Sequence, residues 1–117
     1  MSKSFLIIDD ELYNRKLLKI ILKKLYPEAK IFEAEDGNEA VKIVKNCPLD
    51  LVLLDILLPD INGLEILKHI DSQITVIIIT ALEEDNLLIQ KSSNIEFIQK
   101  PINVEHLKKV IKKALEK

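Results

Sequence analysis

An α/β fold, built as a doubly wound five-stranded parallel sheet with helices on both faces, is what this 117-residue sequence predicts. Three observations predict it. Strand-like and helix-like segments alternate from end to end without linker, repeat or low-complexity tract, the pattern of βα units around a parallel sheet. Three strand candidates are solid runs of large apolar residues (Phe5-Leu6-Ile7-Ile8, Leu51-Val52-Leu53-Leu54, Val76-Ile77-Ile78-Ile79), as expected when both faces are buried. Two more, Lys30-Ile31-Phe32-Glu33 and Glu96-Phe97-Ile98-Gln99, are short and carry polar residues, as edges do. The order is then 2-1-3-4-5, with the crevice between strands one and three.

The elements follow in order. Strand one covers about residues 5–9. A helix over residues 12–25 stops near Pro27, because proline disfavours helix in the residue before it. Residues 31–34 form strand two, and residues 38–45 a helix that ends before Pro48. Strand three spans residues 50–55. The turn-forming Pro59-Asp60-Ile61-Asn62 precedes a helix from Gly63 to about Ile70. Strand four is residues 74–80, a fourth helix lies within residues 83–91, and strand five is residues 95–99. Asn103 caps a last helix over residues 104–115.

Composition narrows the function classes. The chain is 48% apolar and 31% charged, the profile of an ordinary globular domain, and its length suits one core and not two. A net charge of −2 makes no case for nucleic acid or membrane as a direct partner. Cys47 is the only cysteine, so no intrachain disulfide forms, and a cytoplasmic setting is expected. No apolar run approaches the roughly 20 residues of a membrane span. The first strand begins too early for a signal peptide. With only Gly37 and Gly63, no phosphate-cradling glycine loop can be built.

The chemistry sits where the strands end. Strand one runs into Asp9-Asp10, strand three into Asp55, strand four into Thr80 and strand five into Lys100-Pro101. In parallel strands these ends share one rim, where open α/β sheets bind ligands. Three carboxylates together repel one another, and a hard cation such as Mg²⁺ relieves that repulsion. Asp9 and Asp10 would hold it, and Asp55 would ligate it while acting as a nucleophile toward phosphorus. The metal and Lys100 would balance charge on the phosphoryl oxygens, and Thr80 would donate a hydrogen bond to one. Taken singly, each residue has a plainer use: Asp9-Asp10 as a helix cap, Asp55 in a turn, Thr80 as a strand residue, Lys100 as a surface charge. Their shared position at one rim sets the group apart.

These motifs resemble the receiver domain of two-component response regulators, in both its chemotaxis-type and phosphorelay-type single-domain forms. The resemblance is carried by the apolar strand with Asp9-Asp10-Glu11, by Asp36-Gly37-Asn38-Glu39-Ala40, by residues 50–63 with Leu58-Pro59 and Asn62-Gly63, by Thr80-Ala81 and by Lys100-Pro101. It implies a flavodoxin-like (βα)5 three-layer sandwich over residues 1–117, one receiver domain with no output domain. It implies that Asp55 accepts a phosphoryl group from a phosphohistidine. It assigns Asp9, Asp10, Asp55 and the backbone carbonyl of Leu57 to Mg²⁺, with Mn²⁺ as a substitute. Thr80 and Lys100 are expected to contact the phosphoryl group, and Lys100-Pro101 to be a cis peptide. Phe97 falls at the aromatic switch position and moves with Thr80. The chain departs from the family where Leu58 replaces the usual methionine, and where Ser92-Ser93-Asn94 replaces the usual Gly-Ala before strand five.

The implied partners are a histidine kinase or histidine phosphotransfer domain and a downstream protein. The chain is expected to be a monomer or a weak phosphorylation-dependent dimer. On helix one Leu18, Ile21, Leu22 and Leu25 form the inward stripe, while Tyr13, Leu17 and Ile20 lie toward another side, a docking surface or simply a wide apolar face. Lys108, Lys109, Lys112 and Lys113 read as a solvated face, and His69 and His106 as surface residues. Leu57 and Leu82 flank the phosphoryl position, where apolar groups would hinder attacking water. Two alternatives remain: an Mg²⁺-dependent phosphatase with an aspartyl-phosphate intermediate, and a receiver excised from a hybrid kinase or multidomain regulator. The phosphatase reading fits poorly, since such enzymes use an Asp-x-Asp pair and here the pair is adjacent.

Overall fold

The computed structural model describes residues 2–84 and 94–116. Five parallel strands form one sheet in the order β2-β1-β3-β4-β5. These are β1 (Ser4–Ile8), β2 (Lys30–Ala34), β3 (Leu51–Leu54), β4 (Thr75–Thr80) and β5 (Ile95–Gln99). The expected order is therefore observed, with the two polar-bearing strands at the edges. The helix expected within residues 83–91 falls almost entirely outside the described residues.

Alternation along the three central strands divides the core in two. Phe5, Ile7, Leu51, Leu53, Ile77 and Ile79 face one layer, where they meet Leu18, Ile21 and Leu22 of helix α1 (Leu12–Leu25) and Leu107 and Ile111 of helix α4 (Val104–Leu115). Leu6, Ile8, Val52, Leu54, Val76 and Ile78 face the other, against Ala40 of helix α2 (Gly37–Asn46) and Ile66 of helix α3 (Gly63–Ile66). Each fully buried side chain of this size contributes roughly 1.5–3 kcal/mol. Solid apolar strands are thus a requirement of the three-layer build.

Helix limits follow local chemistry. α1 ends one residue before Tyr26-Pro27, and α2 ends at Asn46, ahead of Cys47-Pro48. The Asp36 carboxylate accepts the Glu39 N–H at 2.8 Å, and Asn103 Oδ1 accepts the His106 N–H at 3.0 Å, capping α2 and α4. The third helix is shorter than its periodicity implies. After Ile66 it tightens into a 3-10 turn, Leu67–His69, closed by the Ile70 N–H on the Leu67 carbonyl at 3.2 Å. Such tightening is common where a helix must stop, and Asp71 then turns the chain into β4 by accepting the Gln73 N–H at 2.8 Å. Leu17, which the helical wheel groups with Tyr13 and Ile20, packs partly buried against the first core layer, as the wide apolar face would have it.

Candidate functional site

Among the described residues, the buried polar or charged side chains are Asp9, Arg15, Asp55 and Thr80. All four lie at or beside the carboxyl ends of the strands. The register explains the grouping. Ile8 aligns with Leu54 and Leu54 with Ile78, so Asp9 and Asp55 each stand one residue past an aligned pair on adjacent strands. Adjacent strands are about 4.8 Å apart, which forces the two carboxylates close. Thr80 ends β4 opposite Gln99, and its carbonyl accepts the Lys100 N–H at 2.8 Å.

Lys100 resolves the resulting repulsion. Its Nζ donates to Asp55 Oδ2 at 2.7 Å and to Asp9 Oδ2 at 3.0 Å, with the two carboxylate side chains only 6% and 2% exposed. Burial by itself would push the lysine pKa down. The hydrogen bonds and charges of Asp55 and Asp9 together outweigh that effect and hold it above the ordinary value. The remaining carboxylate oxygens take backbone donors: Asp9 Oδ1 accepts the Glu11 N–H and Asp55 Oδ1 the Leu57 N–H, both at 2.9 Å. The Lys100-Pro101 peptide is cis.

The loop leaving Asp55 is held tightly. Gly63 N–H donates to the Ile56 carbonyl at 2.8 Å, and a Cβ on Gly63 would come within 2.5 Å of the Ile56 Cα. Only glycine permits this approach. Leu57 is half-exposed at the rim. Leu82 is partly buried against the second core layer, and its N–H lies 3.5 Å from Thr80 Oγ1. Phe97 is half-buried against the same layer, paired in register with Ile78.

Two residues at this rim were given no role of their own from sequence. Arg15 on α1 is 8% exposed; its Nη1 donates to the Asp9 carbonyl at 2.7 Å, and its Nε to Glu33 Oε1 at 3.3 Å. It therefore grips the backbone of the aspartate pair while pairing with the edge strand β2. Glu11 is the second. Ligand oxygens of Asp9, Asp10 and Glu11 all lie within 4.8 Å of one another. An all-oxygen, multiply acidic cluster of this kind fits a hard divalent cation, and Asp10 and Glu11 are exposed and accessible to one.

A parallel sheet of this order, with acidic residues, a hydroxyl and an ammonium at the strand ends, defines a phosphoacceptor signalling fold. The chain belongs to the response regulator receiver domain family, whose profile matches residues 5–112. It is 36% identical to sporulation initiation phosphotransferase F of Bacillus subtilis, over 98% of this chain and 95% of that protein. It is 35% identical to stress response regulator protein 1 of Lodderomyces elongisporus over 97% of this chain but 34% of that protein. The chain thus spans about a third of some curated relatives and nearly all of others. The structure of response regulator protein TrrA from Thermotoga maritima, in complex with Mg²⁺-BeF, superposes with a TM-score of 0.82 at 35% identity, covering 97% of this chain and 99% of that one. The Asp9-Asp10-Glu11 cluster is positioned like the Mg²⁺-binding cluster of receiver domains. A receiver of this kind acts on its own phosphorylation and is not a classical enzyme. Among the described residues no helix is long and apolar enough to cross a membrane.

Proposed function

We propose that Asp55 accepts a phosphoryl group from the phosphohistidine of a histidine kinase or histidine phosphotransfer domain. The observation carrying this reading is the Lys100 ammonium shared between Asp55 and Asp9 at 2.7 and 3.0 Å. An Asp55 oxygen forms the new O–P bond as the N–P bond to the donor imidazole breaks, and the imidazole leaves with the electron pair. Lys100 stays beside the acceptor and offsets charge on the phosphoryl oxygens. Thr80, fully buried beside the rim, donates its hydroxyl to one of those oxygens, and Phe97 packs into the space that Thr80 vacates.

Asp9, Asp10 and Asp55 with the Leu57 carbonyl would hold Mg²⁺, with Mn²⁺ able to replace it; Glu11 supports the cluster. When bound, the cation supplies charge neutralisation at the phosphoryl oxygens. The exposed Leu12, Tyr13 and Ile20 of α1, with Leu57, offer an apolar docking surface next to the acidic rim. Docking there fails as an idea if Ile20→Asp with Tyr13→Ala leaves kinase-dependent labelling unchanged. The only cysteine, Cys47, is unpaired among the described residues, which suits a reducing cytoplasm.

The direct test is incubation with Mg²⁺ and acetyl phosphate, followed by mass measurement. Wild type should gain one phosphoryl group, mapped to Asp55, and Asp55→Asn should gain none. Equal labelling of the two proteins would end the assignment.

A further inference from the structure

Asp60 follows Pro59 in the loop between β3 and α3, a place where a carboxylate would ordinarily be left to water. Here it receives three backbone donors. Its Oδ1 accepts the N–H groups of Gly37 at 2.8 Å and Ile61 at 2.9 Å, and its Oδ2 accepts that of Asn38 at 2.9 Å. The Gly37 N–H is the main cause holding its pKa below the usual carboxylate value; partial desolvation opposes it, and the Asn38 and Ile61 N–H groups add to it. Gly37 and Asn38 open α2, so their N–H groups have no partner within the helix. The cap residue of α2, Asp36, instead serves Glu39. The first turn of α2 is therefore satisfied by two carboxylates, one local and one reaching in from 23 residues further along the chain.

The junction is also packed. A Cβ on Gly37 would overlap the Ile61 side chain and stand 3.2 Å from Asp60 Oδ1. The loop is seated directly on the helix start. Its upstream part is tied by the Leu57 N–H on Asp55 and the Leu58 N–H on the Ile56 carbonyl at 3.1 Å, and its downstream end by Gly63. Between these ties, Leu58 and Ile61 pack against the second core layer, and the Asp60 bonds fasten the segment to α2.

We propose that Asp60 is a positioning residue for metal binding: by clamping the β3–α3 loop to α2 it fixes where the Leu57 carbonyl points. This rests on the reading of Leu57 as a ligand. Groups that orient metal ligands from behind typically change affinity by 10–100-fold when removed, so Asp60→Ala should weaken Mg²⁺ binding about tenfold. Asp60→Asn keeps an acceptor oxygen without the charge and should fall between. The control is Asp36→Ala, which uncaps the same helix without touching the loop; it should lower the melting temperature yet leave Mg²⁺ affinity at the wild-type value.

Mg²⁺ titration by calorimetry on wild type, Asp60→Ala, Asp60→Asn, Asp36→Ala and Asp10→Asn reads the affinity. Hydrogen exchange on the metal-free proteins reads the anchoring: Asp60→Ala should speed exchange at Leu57 and Leu58, and Asp36→Ala should not. Wild-type affinity in Asp60→Ala, or equal weakening by Asp36→Ala, would overturn the proposal. If wild type and Asp10→Asn bind Mg²⁺ equally poorly, the metal reading fails instead. Unchanged exchange at Leu57 and Leu58 in Asp60→Ala would still overturn the anchoring.

Discussion

Replacing Lys100 by methionine keeps most of the length of the side chain and removes its charge. The variant is left with two carboxylates, 2% and 6% exposed, that shared one ammonium at 3.0 and 2.7 Å. Each retains one backbone N–H, from Glu11 and Leu57. Removing one partner of a buried ionic group costs about 3–5 kcal/mol, because the remaining charge is neither solvated nor paired. A domain of 117 residues unfolds with an entropy of about 0.25 kcal/mol per kelvin near its midpoint. The expected fall in melting temperature is therefore about 12–20 °C in metal-free buffer. Against a total stability of about 5–15 kcal/mol this is large. Urea titration followed by circular dichroism, with and without Mg²⁺, measures it. Saturating Mg²⁺ should narrow the gap to wild type, since a divalent cation among Asp9, Asp10 and Asp55 replaces the lost positive charge. A metal-free loss below about 1 kcal/mol, the size of a surface pair, would refute the claim that the ammonium holds these carboxylates together.

Three other outcomes are expected. Arg15→Met should cost about 1.5–3 kcal/mol by leaving the Asp9 carbonyl without its charged donor, and Arg15→Lys should recover little because lysine lacks the planar fork; urea midpoints check both. Leu57→Asn with Leu82→Glu should shorten the lifetime of phosphorylated Asp55 by letting water approach, and an unchanged half-life in a dephosphorylation assay would remove that role. Because the Lys100 pKa is raised in the folded state, its contribution is complete below the ordinary lysine value of about 10.4 and is lost as pH rises through the folded value. Wild-type stability should thus fall more steeply with pH in that range than that of Lys100→Met.

What sequence could and could not reveal follows from locality. Asp9, Asp55, Thr80 and Lys100 were legible because each ends an apolar run, and parallel strands bring such ends together. Strand order was legible because Glu33 and Glu96 would be untenable on strands buried on both faces. Arg15 was not legible: its partners are the Asp9 carbonyl and Glu33, 18 residues away, and that pairing exists only once β2 lies beside β1. On a helical wheel a lone cation beside Lys16 reads as surface. The helical wheel left open whether Leu17 belonged to a docking surface or to a wide apolar face, since the width of a buried stripe depends on what packs over it. α3 gives way after Ile66 to the 3-10 turn Leu67–His69, a change that apolar periodicity through Ile70 concealed.

The geometry of the site is therefore a consequence of register. Ile8, Leu54 and Ile78 belong to one core layer, and Ile7, Leu53 and Ile77 to the other. Sliding β3 by one residue would exchange its two faces, placing Asp55 level with Ile8 or one step beyond Asp9. Either shift would separate the carboxylates from the ammonium they share. The slip is opposed along the whole strand, because Leu51, Val52, Leu53 and Leu54 are all buried and every one would change neighbours. The apolar interior thus outweighs the repulsion between Asp9 and Asp55, and the position of the charged rim is set by residues that carry no charge.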